Sequence, residues 1–595
     1  MGRLPEIPIE SALARLFTQE RVQDDAAWFS LPGGQTLFSA GDRSDQLYFL
    51  RAGRLGAFRR EPGHEVHFLG VIRPGEPAGE MSLIANAPHS ADVVALRDSE
   101  IIAVPRETFF EACEADTAVM IELAKLMMLR SRQAVTRGGI GEPSVFGFVP
   151  LGQSGALRPL VERVAGEIDR LGYSVTCIGV EAQSAPTEWF SDVERSHDFV
   201  LYVAEVGDLG WRQVVARQVD RLFRVGRGDR KPPKPEVAQL VPSPLQAQQL
   251  VDLILLHPLD RHRPEGSEAW ADAAQPARLF HVRRDYVPDV QRIARILTGQ
   301  SVGLVLSGGG ARAYAHAGAV KALRERGVPI DFVGGVSMGG VIAAGVAMGW
   351  SDAEMERRLR EAFVTTSPLD DIAVPLLAMT HGLKVNDRLH HHFGEVHIAD
   401  LWLPFFCLSS NLTTGAYQMH RRGLLRKALR ATISLPGILP PATDDNNVLV
   451  DGGVMKNFPA DVMRMSQLGP IVGVDVTTGR SITADDVARP ASIWRWLWSG
   501  QWRRGPPIVS LLMRAATVST SRDLAAAREA TDLLILPDMA KVEIRDFTAY
   551  AMAVDVGYHA TIAALDKLEM PVQAMRRRAS LAEQREAKAL AAAGR

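Results

Sequence analysis

A serine stands between two glycines in the sequence Gly-Val-Ser-Met-Gly at positions 335–339. An apolar pair precedes this segment and an apolar run at 341–344 follows it, so a strand and then a helix are predicted around it. In this G-x-S-x-G pattern, Gly335 and Gly339 permit a tight turn that lifts the serine hydroxyl clear of the backbone at the start of a helix. The pattern predicts that Ser337 is the nucleophile of an acyl-transfer reaction.

Three consecutive glycines, Gly308, Gly309 and Gly310, follow an apolar segment that predicts a strand. Backbone amides exposed on such a loop can stabilise an oxyanion. The same stretch fits loosely the dinucleotide fingerprint G-x-G-x-x-G/A, with Ala313 in the last place. That fingerprint requires an acidic residue at the end of the next strand, whereas Asp331 precedes its predicted strand. We therefore favour an oxyanion loop, and an NAD-binding module is the alternative.

A serine nucleophile requires a base, and Asp451 is the candidate. It follows an apolar segment and precedes Gly452 and Gly453, so it lies at a predicted strand end where glycines allow close approach. An aspartate in that place can act directly as the base for a serine. The histidines downstream of Ser337 are His381, His390, His391, His392, His397, His420 and His559. None of them has neighbours that indicate the loop of a catalytic triad.

The triplet His390-His391-His392 raises the question of a metal site. Consecutive residues of a helix point in different directions, which disfavours a shared ion. We therefore expect an exposed or hydrogen-bonded histidine cluster, no metal and no cofactor.

The three motifs, in this order, resemble the patatin-like phospholipase family. The resemblance implies a three-layer α/β sandwich and a Ser–Asp dyad, with Ser337 as nucleophile and Asp451 as base. The oxyanion loop that it implies consists of Gly308, Gly309 and Gly310, supported by Arg312. The match is closest to bacterial relatives of neuropathy target esterase. Further matching segments are His316 with Gly318, Ser434–Gly437, Asn457–Pro459, 398–406 and 556–558.

The resemblance implies two-step hydrolysis of a fatty-acyl ester in a lysophospholipid or phospholipid, through an acyl-serine. One position departs from the family pattern: Ala313 stands where the loop usually has glycine. If that position required a positive φ, alanine would cost about 1 kcal/mol or shift the loop.

Four N-terminal segments resemble the cyclic-nucleotide-binding β-roll: 31–34, 39–42, 47–53 and 79–84. The resemblance implies a ligand pocket at Gly79 and Glu80, with an arginine for the cyclic phosphate. His89 stands in place of that arginine, and Asp92 adds a negative charge nearby. Histidine has a pKa near 6.5 and no bidentate fork, so we expect the domain to bind no cyclic nucleotide and to serve contacts or regulation. The alternative function is a cyclic-nucleotide-responsive signalling protein with a degenerate hydrolase half.

The element pattern divides the chain into several domains. Short apolar runs with glycine turns predict an N-terminal β-roll, and a helical pattern at 107–133 follows it. Alternating strands and helices then predict a middle α/β domain and a larger C-terminal α/β domain. We assign 1–21 to a leader, 22–135 to the cyclic-nucleotide-binding-like domain, 136–143 to a linker, 144–260 to the middle α/β domain, 261–300 to a connector, 301–565 to the patatin-like domain and 566–595 to a helical or frayed tail.

Two segments could contact lipid. Trp494, Trp496, Trp498 and Trp502 lie among arginines, a combination typical of membrane interfaces. The alternative is a buried aromatic cluster. The basic segment 221–234 is interpreted as a solvated loop, with an anionic-lipid contact as the alternative.

Composition limits the remaining classes. The 595 residues carry 67 Lys and Arg against 69 Asp and Glu, so we expect no nucleic-acid partner. Three distant cysteines favour neither a disulfide framework nor a zinc cluster. No apolar stretch of 18 residues and no secretory signal is present. The expectation is a soluble cytoplasmic protein, with any membrane contact peripheral and at the inner face.

Overall fold

The computed structural model describes residues 12–59, 67–136, 143–152, 154–185, 187–234, 250–365, 370–374, 377–477, 520–544 and 546–593. It divides into two compact units. The first comprises Met1–Leu259, Trp270–Thr298 and Arg578–Arg595, and the second comprises Asp260–Ala269 and Gly299–Arg577. The tryptophans 494, 496, 498 and 502 lie outside the described residues, so the interfacial role predicted for them stays a prediction.

The first unit begins with an antiparallel β-roll, as predicted. Its strands run in the order β1-β6-β3-β4, with β2 paired to β6 and β5 to β3. The strands are β1 Ala27–Leu31, β2 Thr36–Phe38, β3 Gln46–Arg59, β4 His67–Ile72, β5 Pro77–Ala78 and β6 Asp92–Pro105. The helices of this region are Ala12–Leu16, Glu20–Asp25, Glu80–Ala85, Arg106–Ala115 and Thr117–Thr136. The helical pattern after the roll is thus two helices, divided at Asp116, whose backbone is extended at φ −136°.

A parallel sheet of six strands follows, in the order β12-β11-β10-β7-β9-β8. This confirms the predicted middle α/β fold. Its strands are β7 Val145–Pro150, β8 Val175–Ile178, β9 Phe199–Val203, β10 Arg221–Arg227, β11 Val251–His257 and β12 Leu279–Arg283. The helices are Arg158–Arg170, Thr187–Ser196, Leu209–Gln218, Ser267–Ala274, Val287–Leu297 and Leu581–Ala593.

The interpretation of 221–234 as a solvated loop or lipid contact is wrong for its first half, which is the central strand β10. Arg221 donates two hydrogen bonds to the buried carboxylate of Asp252, at 2.5 and 2.9 Å between N and O. Arg224 is itself buried, and burial lowers the pKa of its guanidinium. Asp252 on the neighbouring strand therefore neutralises Arg221, whose charge the sequence pattern had placed in solvent.

The roll and the middle domain share one core within the first unit. Phe58 and Val94 of the roll pack in the same buried cluster as Val145 and Trp211. Beside this cluster, Arg97 of the roll pairs with Glu194 at 2.6 Å, and both side chains are almost fully buried. Breaking a buried ion pair on one side is strongly destabilising, so these contacts fix the two domains together.

The second unit contains a mixed eight-stranded sheet in the order β17-β18-β15-β14-β13-β19-β20, with β16 paired to β15. Strands β13, β14, β15, β19 and β20 run parallel to their neighbours in that group, whereas β16, β17 and β18 pair antiparallel. The strands are β13 Gly303–Leu306, β14 Phe332–Val336, β15 Phe405–Asn411, β16 Ala416–His420, β17 Ala442–Asp444, β18 Asn447–Asp451, β19 Ile471–Val474 and β20 Leu533–Ile535. The helices are Tyr314–Glu325, Met338–Ala347, Asp352–Leu359, Leu383–Phe393, Leu425–Thr432, Ala460–Ser466, Thr520–Glu529 and Tyr550–Leu565, with a π-helical turn at Arg360–Val364.

The structure of this unit answers two questions raised by the sequence, the strain at Ala313 and the role of Asp331. Ala313 has φ −62°, in the right-handed helical region, so the alanine is unstrained and the expected penalty is absent. The Asp331 carboxylate accepts a hydrogen bond from the backbone N–H of Val302 at 3.0 Å and is buried, which leaves it no role toward a ribose. Among the described residues, no helix is long and apolar enough to span a bilayer.

Candidate active site

Ser337 lies at a strained turn between β14 and the helix Met338–Ala347. Its φ is 53° and its ψ −132°, a conformation that a non-glycine residue rarely adopts. The backbone N–H of Ser337 donates to the Thr432 hydroxyl at 2.9 Å, which helps to hold the turn. A Cβ at Gly335 would come within 2.7 Å of the backbone of Gly339, and a Cβ at Gly339 would collide with the carbonyl of Ser307. Both glycines are therefore required by close packing around the serine.

Asp451 is the last residue of β18, and its carboxylate meets the serine. The Ser337 hydroxyl donates to Asp451 Oδ2 at 2.6 Å, and the Gly453 amide donates to Oδ1 at 2.8 Å. Asp451 is only 3% exposed. Burial raises the pKa of its carboxyl to about 6, although the hydrogen bonds from Ser337 and Gly453 oppose that rise. A carboxylate with a pKa in that range can take a proton near neutral pH. Gly452 passes so close to the Leu408 carbonyl that no Cβ would fit.

The glycine loop runs beside the nucleophile. A Cβ on Gly308 would lie 3.2 Å from the Cβ of Ser337. The Gly308 amide already donates to the carbonyl of Asn457 at 3.2 Å. Within the described part of the chain, the hydrogen bonds leave the amides of Gly309 and Gly310 unused. The role of these two amides toward an oxyanion stays a prediction.

Arg312 fastens this loop to a neighbouring segment. Its Nε donates to the Val542 carbonyl at 2.7 Å, and the Ala311 amide donates to the Ile544 carbonyl at 2.8 Å. Gly310 has φ 57° and lies against the same Ile544 carbonyl, so a side chain there would be both strained and in collision. The predicted supporting role of Arg312 is consistent with this contact.

Asn457 joins the glycine loop to the D-G-G segment, a role that the sequence did not reveal. Its Nδ2 donates to the Gly308 carbonyl at 3.3 Å, in addition to the Gly308 amide bond above. On the other side, a Cβ on Gly453 would come within 2.7 Å of Asn457 Oδ1. The Asn457 motif matched the family, but only the structure shows what the side chain touches.

His316 supports the strand end that carries the glycine loop. Its Nε2 lies 2.8 Å from the Ser307 carbonyl, and the ring is fully buried. Burial lowers the pKa of His316 to about 4, so the imidazole is neutral and Nε2 carries the hydrogen that it donates. His316 therefore positions the loop and is no candidate base.

An apolar cavity lies in the second unit, and one of its lining residues stands one turn beyond Ser337 on the same helix. Val341 lines it from the helix that Ser337 begins, and Ile433 lines it beside Thr432. The other lining residues are Trp350, Arg358, Leu359, Ala362, Phe363, Val385, Arg388, Leu389, His392 and Phe393.

The histidine triplet lies on the helix Leu383–Phe393. His390 and His391 are exposed, as predicted, and each lies near a glutamate. The prediction is wrong for His392, which is 7% exposed and has no hydrogen-bond partner among the described residues, because it faces the apolar cavity. Potential ligand atoms of Glu361, His391 and His392 lie within 4.8 Å of one another. Glu361 also pairs with Arg357 at 3.2 Å, so its carboxylate already has a cationic partner. The absence of a metal stays a prediction.

The three residues predicted for a nucleotide pocket lie together in the β-roll. Gly79 has φ 85° and precedes the helix Glu80–Ala85, and the Glu80 side chain is buried. The ring of His89 stacks on Phe38 with 3.7 Å between ring centroids, and a Cβ on Gly79 would lie 3.0 Å from it. Burial lowers the pKa of His89, which disfavours the cation that a phosphate would need.

Family models match three parts of the chain. The model of the patatin-like phospholipases matches residues 304–464, that of the cyclic nucleotide-binding domain 28–116, and that of the neuropathy target esterase (NTE) family P-loop like domain 180–286. The fold and the site thus define a hydrolase of the patatin-like phospholipase class with an N-terminal domain of the cyclic-nucleotide-binding type.

Relatives define the family more closely. An NTE family protein from Mycobacterium tuberculosis (strain CDC 1551 / Oshkosh) is 32% identical over 554 residues, which cover 90% of this chain and 91% of the relative. Patatin-like phospholipase domain-containing protein 6 from Homo sapiens is 28% identical over 634 residues, covering 94% of this chain and 46% of the relative. Neuropathy target esterase sws from Drosophila melanogaster is 27% identical, covering 89% and 42%. The chain belongs to the NTE family, and it spans less than half the length of these two animal relatives.

Proposed function

We propose that this protein is a serine esterase that hydrolyses a fatty-acyl ester of a lysophospholipid or phospholipid. The observation that carries the proposal is the 2.6 Å hydrogen bond from the Ser337 hydroxyl to Asp451 Oδ2, at a strained turn on the end of a strand. A hydroxyl bound to a buried carboxylate, with free amides alongside, is the arrangement that acyl transfer requires.

The reaction proceeds in two steps. Asp451 accepts the proton of the Ser337 hydroxyl as its oxygen attacks the ester carbonyl, and the amides of Gly309 and Gly310 stabilise the resulting oxyanion. The ester C–O bond then breaks, the alcohol leaves with the proton from Asp451, and the acyl group stays on Ser337. Water repeats the sequence on the acyl-serine, again with Asp451 as base, and releases the fatty acid.

The cavity supports an acyl chain as the group transferred. Its walls are mostly apolar, and one of them is formed by Val341, which lies one turn after Ser337 on the same helix. Removing an acyl chain from water into such a cavity is favourable by about 0.8 kcal/mol for each buried CH₂ group. We assign the acyl chain of the substrate to this cavity and the headgroup to solvent.

The β-roll serves structure or regulation and binds no cyclic nucleotide in this proposal. The His89–Phe38 stack supports this role, since it places a neutral ring where a phosphate would need a cation. The shared core and the Arg97–Glu194 pair tie the roll to the middle domain. The competing function, a nucleotide-responsive signalling protein with an inactive hydrolase half, is disfavoured because the serine and aspartate are in contact.

The experiment that tests the substrate class follows fatty-acid release from lysophosphatidylcholine by the purified protein. We expect release that saturates with substrate, and none from Ser337→Ala. Ser351→Ala, which alters a solvent-side serine at another helix start in the same unit, is the matched control. Fatty-acid release by Ser337→Ala at the wild-type rate would contradict the proposal.

A further inference from the structure

Two short segments of the second unit, 371–374 and 377–381, pair with each other and are called the hairpin here. The Ala373 amide donates to the Met379 carbonyl at 2.8 Å, and the His381 amide donates to the Asp371 carbonyl at 2.9 Å. Ile372 and Thr380 form a β-bridge between these two bonds. The arms therefore pair in antiparallel fashion, and Val374 and Leu377, the last described residues of the two arms, are called the tip.

The hairpin and the start of the next helix expose four large apolar side chains. Ile372 is 60% exposed, Val374 76%, Leu377 79% and Leu383 62%. Single exposed apolar residues are ordinary on a protein surface, but four within twelve positions form a patch. A patch of this kind marks a surface that is covered when the protein works.

The base of the hairpin is firmly anchored, so the exposure of its tip is built into the fold. The Met379 amide donates to the Gly437 carbonyl at 3.0 Å. Thr380 is buried, and both its amide and its hydroxyl donate to the Ile438 carbonyl, at 3.2 and 2.7 Å. The Asp371 carboxylate accepts from the amide of Leu383 at 2.7 Å and so fixes the start of the next helix.

The anchored base adjoins the catalytic machinery. The segment that receives the hairpin begins at Ser434, whose carbonyl accepts a hydrogen bond from the amide of Asp451 at 2.9 Å. The helix that follows the hairpin supplies Val385 and Leu389 to the wall of the apolar cavity. The patch and the cavity are thus linked by one helix, which Leu383 begins and on which Val385 and Leu389 line the cavity.

The charge of the patch indicates what covers it. The described hairpin residues between 372 and 380 carry no ionisable side chain. Lys384, which follows Leu383 in the sequence, pairs with Asp370 at 2.6 Å. A neutral apolar tip is better suited to insertion among lipid acyl chains than to binding an anionic surface. Insertion depends on burial of apolar area and not on charge.

We infer that Ile372, Val374, Leu377 and Leu383 form a docking surface for a phospholipid bilayer or micelle. The hairpin inserts its tip among the acyl chains and brings the cavity to the lipid that holds the substrate. This inference rests on the proposed function, since the acyl ester in the cavity is what makes a lipid surface the occupant.

The test uses the full chain and flotation with phosphatidylcholine vesicles at low and high salt. We expect wild-type binding that salt does not weaken, and a loss of about tenfold or more in the double variant Val374→Asp/Leu377→Asp, since each buried leucine-sized side chain contributes more than a factor of ten. The matched control is Leu536→Asp/Met552→Asp, at positions 53% and 51% exposed in the same unit, which we expect to bind as wild type. Hydrolysis of p-nitrophenyl butyrate, a soluble ester, is measured on every variant and is expected to stay within about twofold.

Three results would overturn the inference. The first is unchanged vesicle binding by the tip variant, and the second is an equal loss by the control pair. The third is a wild type that does not bind vesicles but forms a dimer, with the dimer lost in the tip variant. The hairpin would then contact a second copy of the chain. The soluble ester separates the two proposals: a wild type that binds vesicles but does not hydrolyse the soluble ester would remove the esterase and leave the docking surface standing.

Discussion

The Ser337 site and the His89 pocket share one local plan and differ in chemistry. Each lies where a residue of positive φ, Ser337 at 53° and Gly79 at 85°, begins a helix. At Ser337 a hydroxyl meets a buried carboxylate and free amides lie alongside. In the β-roll pocket, a neutral His89 ring lies on Phe38 instead. The backbone that presents a ligand is present in both, and the side chains decide which of them can act.

The largest effect we expect is from Asp451→Asn. The amide cannot accept the serine proton, so we predict a fall in kcat of at least about 10³-fold on a soluble ester. The thermal midpoint at pH 8 is expected to be equal to or above wild type, because burial raises the Asp451 pKa and the ionised form therefore weakens the folded state as pH rises from about 4 through about 6. The control is Asp445→Asn, at an exposed position in the turn between β17 and β18. A large fall in stability would mean that the carboxylate holds the fold and would weaken the comparison.

Asn457→Ala tests whether the two halves of the catalytic site act together. The substitution removes the Nδ2 bond to Gly308 and the Oδ1 contact near Gly453. We predict a fall of about 10- to 100-fold in kcat with KM within about twofold, as for loss of a group that positions transition-state donors. Steady-state kinetics on p-nitrophenyl butyrate make the measurement. A rise in KM with kcat unchanged would place Asn457 in substrate binding instead.

The pH profile tests the state of the base. Asp451 works only when ionised, and its pKa lies at about 6. We therefore predict that kcat/KM rises about tenfold per pH unit below about 6 and is level above about 7. A flat profile down to pH 5 would show that the carboxyl is not raised and that burial does not tune it.

The smallest effect concerns the nucleotide pocket. Calorimetry with cAMP and cGMP is expected to show no micromolar binding to the wild type, because His89 is neutral and packed on Phe38. His89→Arg restores the cation, and we expect weak binding to become measurable. A micromolar dissociation constant for the wild type would remove the contrast between the two regions.

Local patterns predicted the candidate residues of the site, because a strand, a tight turn and a helix can be recognised from adjacent residues. Ser337 and Asp451 were found in this way, and the structure places their side chains in contact. The role of Asn457 could not be predicted, since it depends on a contact with Gly308, 149 residues away.

The basic run at 221–234 was wrongly predicted to be a solvated loop for the same reason: the contact that decides its structure is distant in the sequence. Leu222, Phe223 and Val225 between its arginines are buried, and the partner of Arg221 is Asp252 on the next strand. Charge alone predicted solvent, whereas strand pairing supplied a counter-ion. His392 is the reverse case. It was predicted to be exposed or hydrogen-bonded, but its side chain is buried and lines an apolar cavity.

Labelling with a fluorophosphonate, followed by peptide mapping, tests the central claim most directly, because the reagent reacts with an activated serine hydroxyl and needs no knowledge of the substrate. We predict a single adduct at Ser337 in the wild type, strongly slowed labelling in Asp451→Asn and none in Ser337→Ala. Labelling at another serine, or a rate in Asp451→Asn equal to that of the wild type, would contradict the account of Ser337 as a nucleophile activated by Asp451.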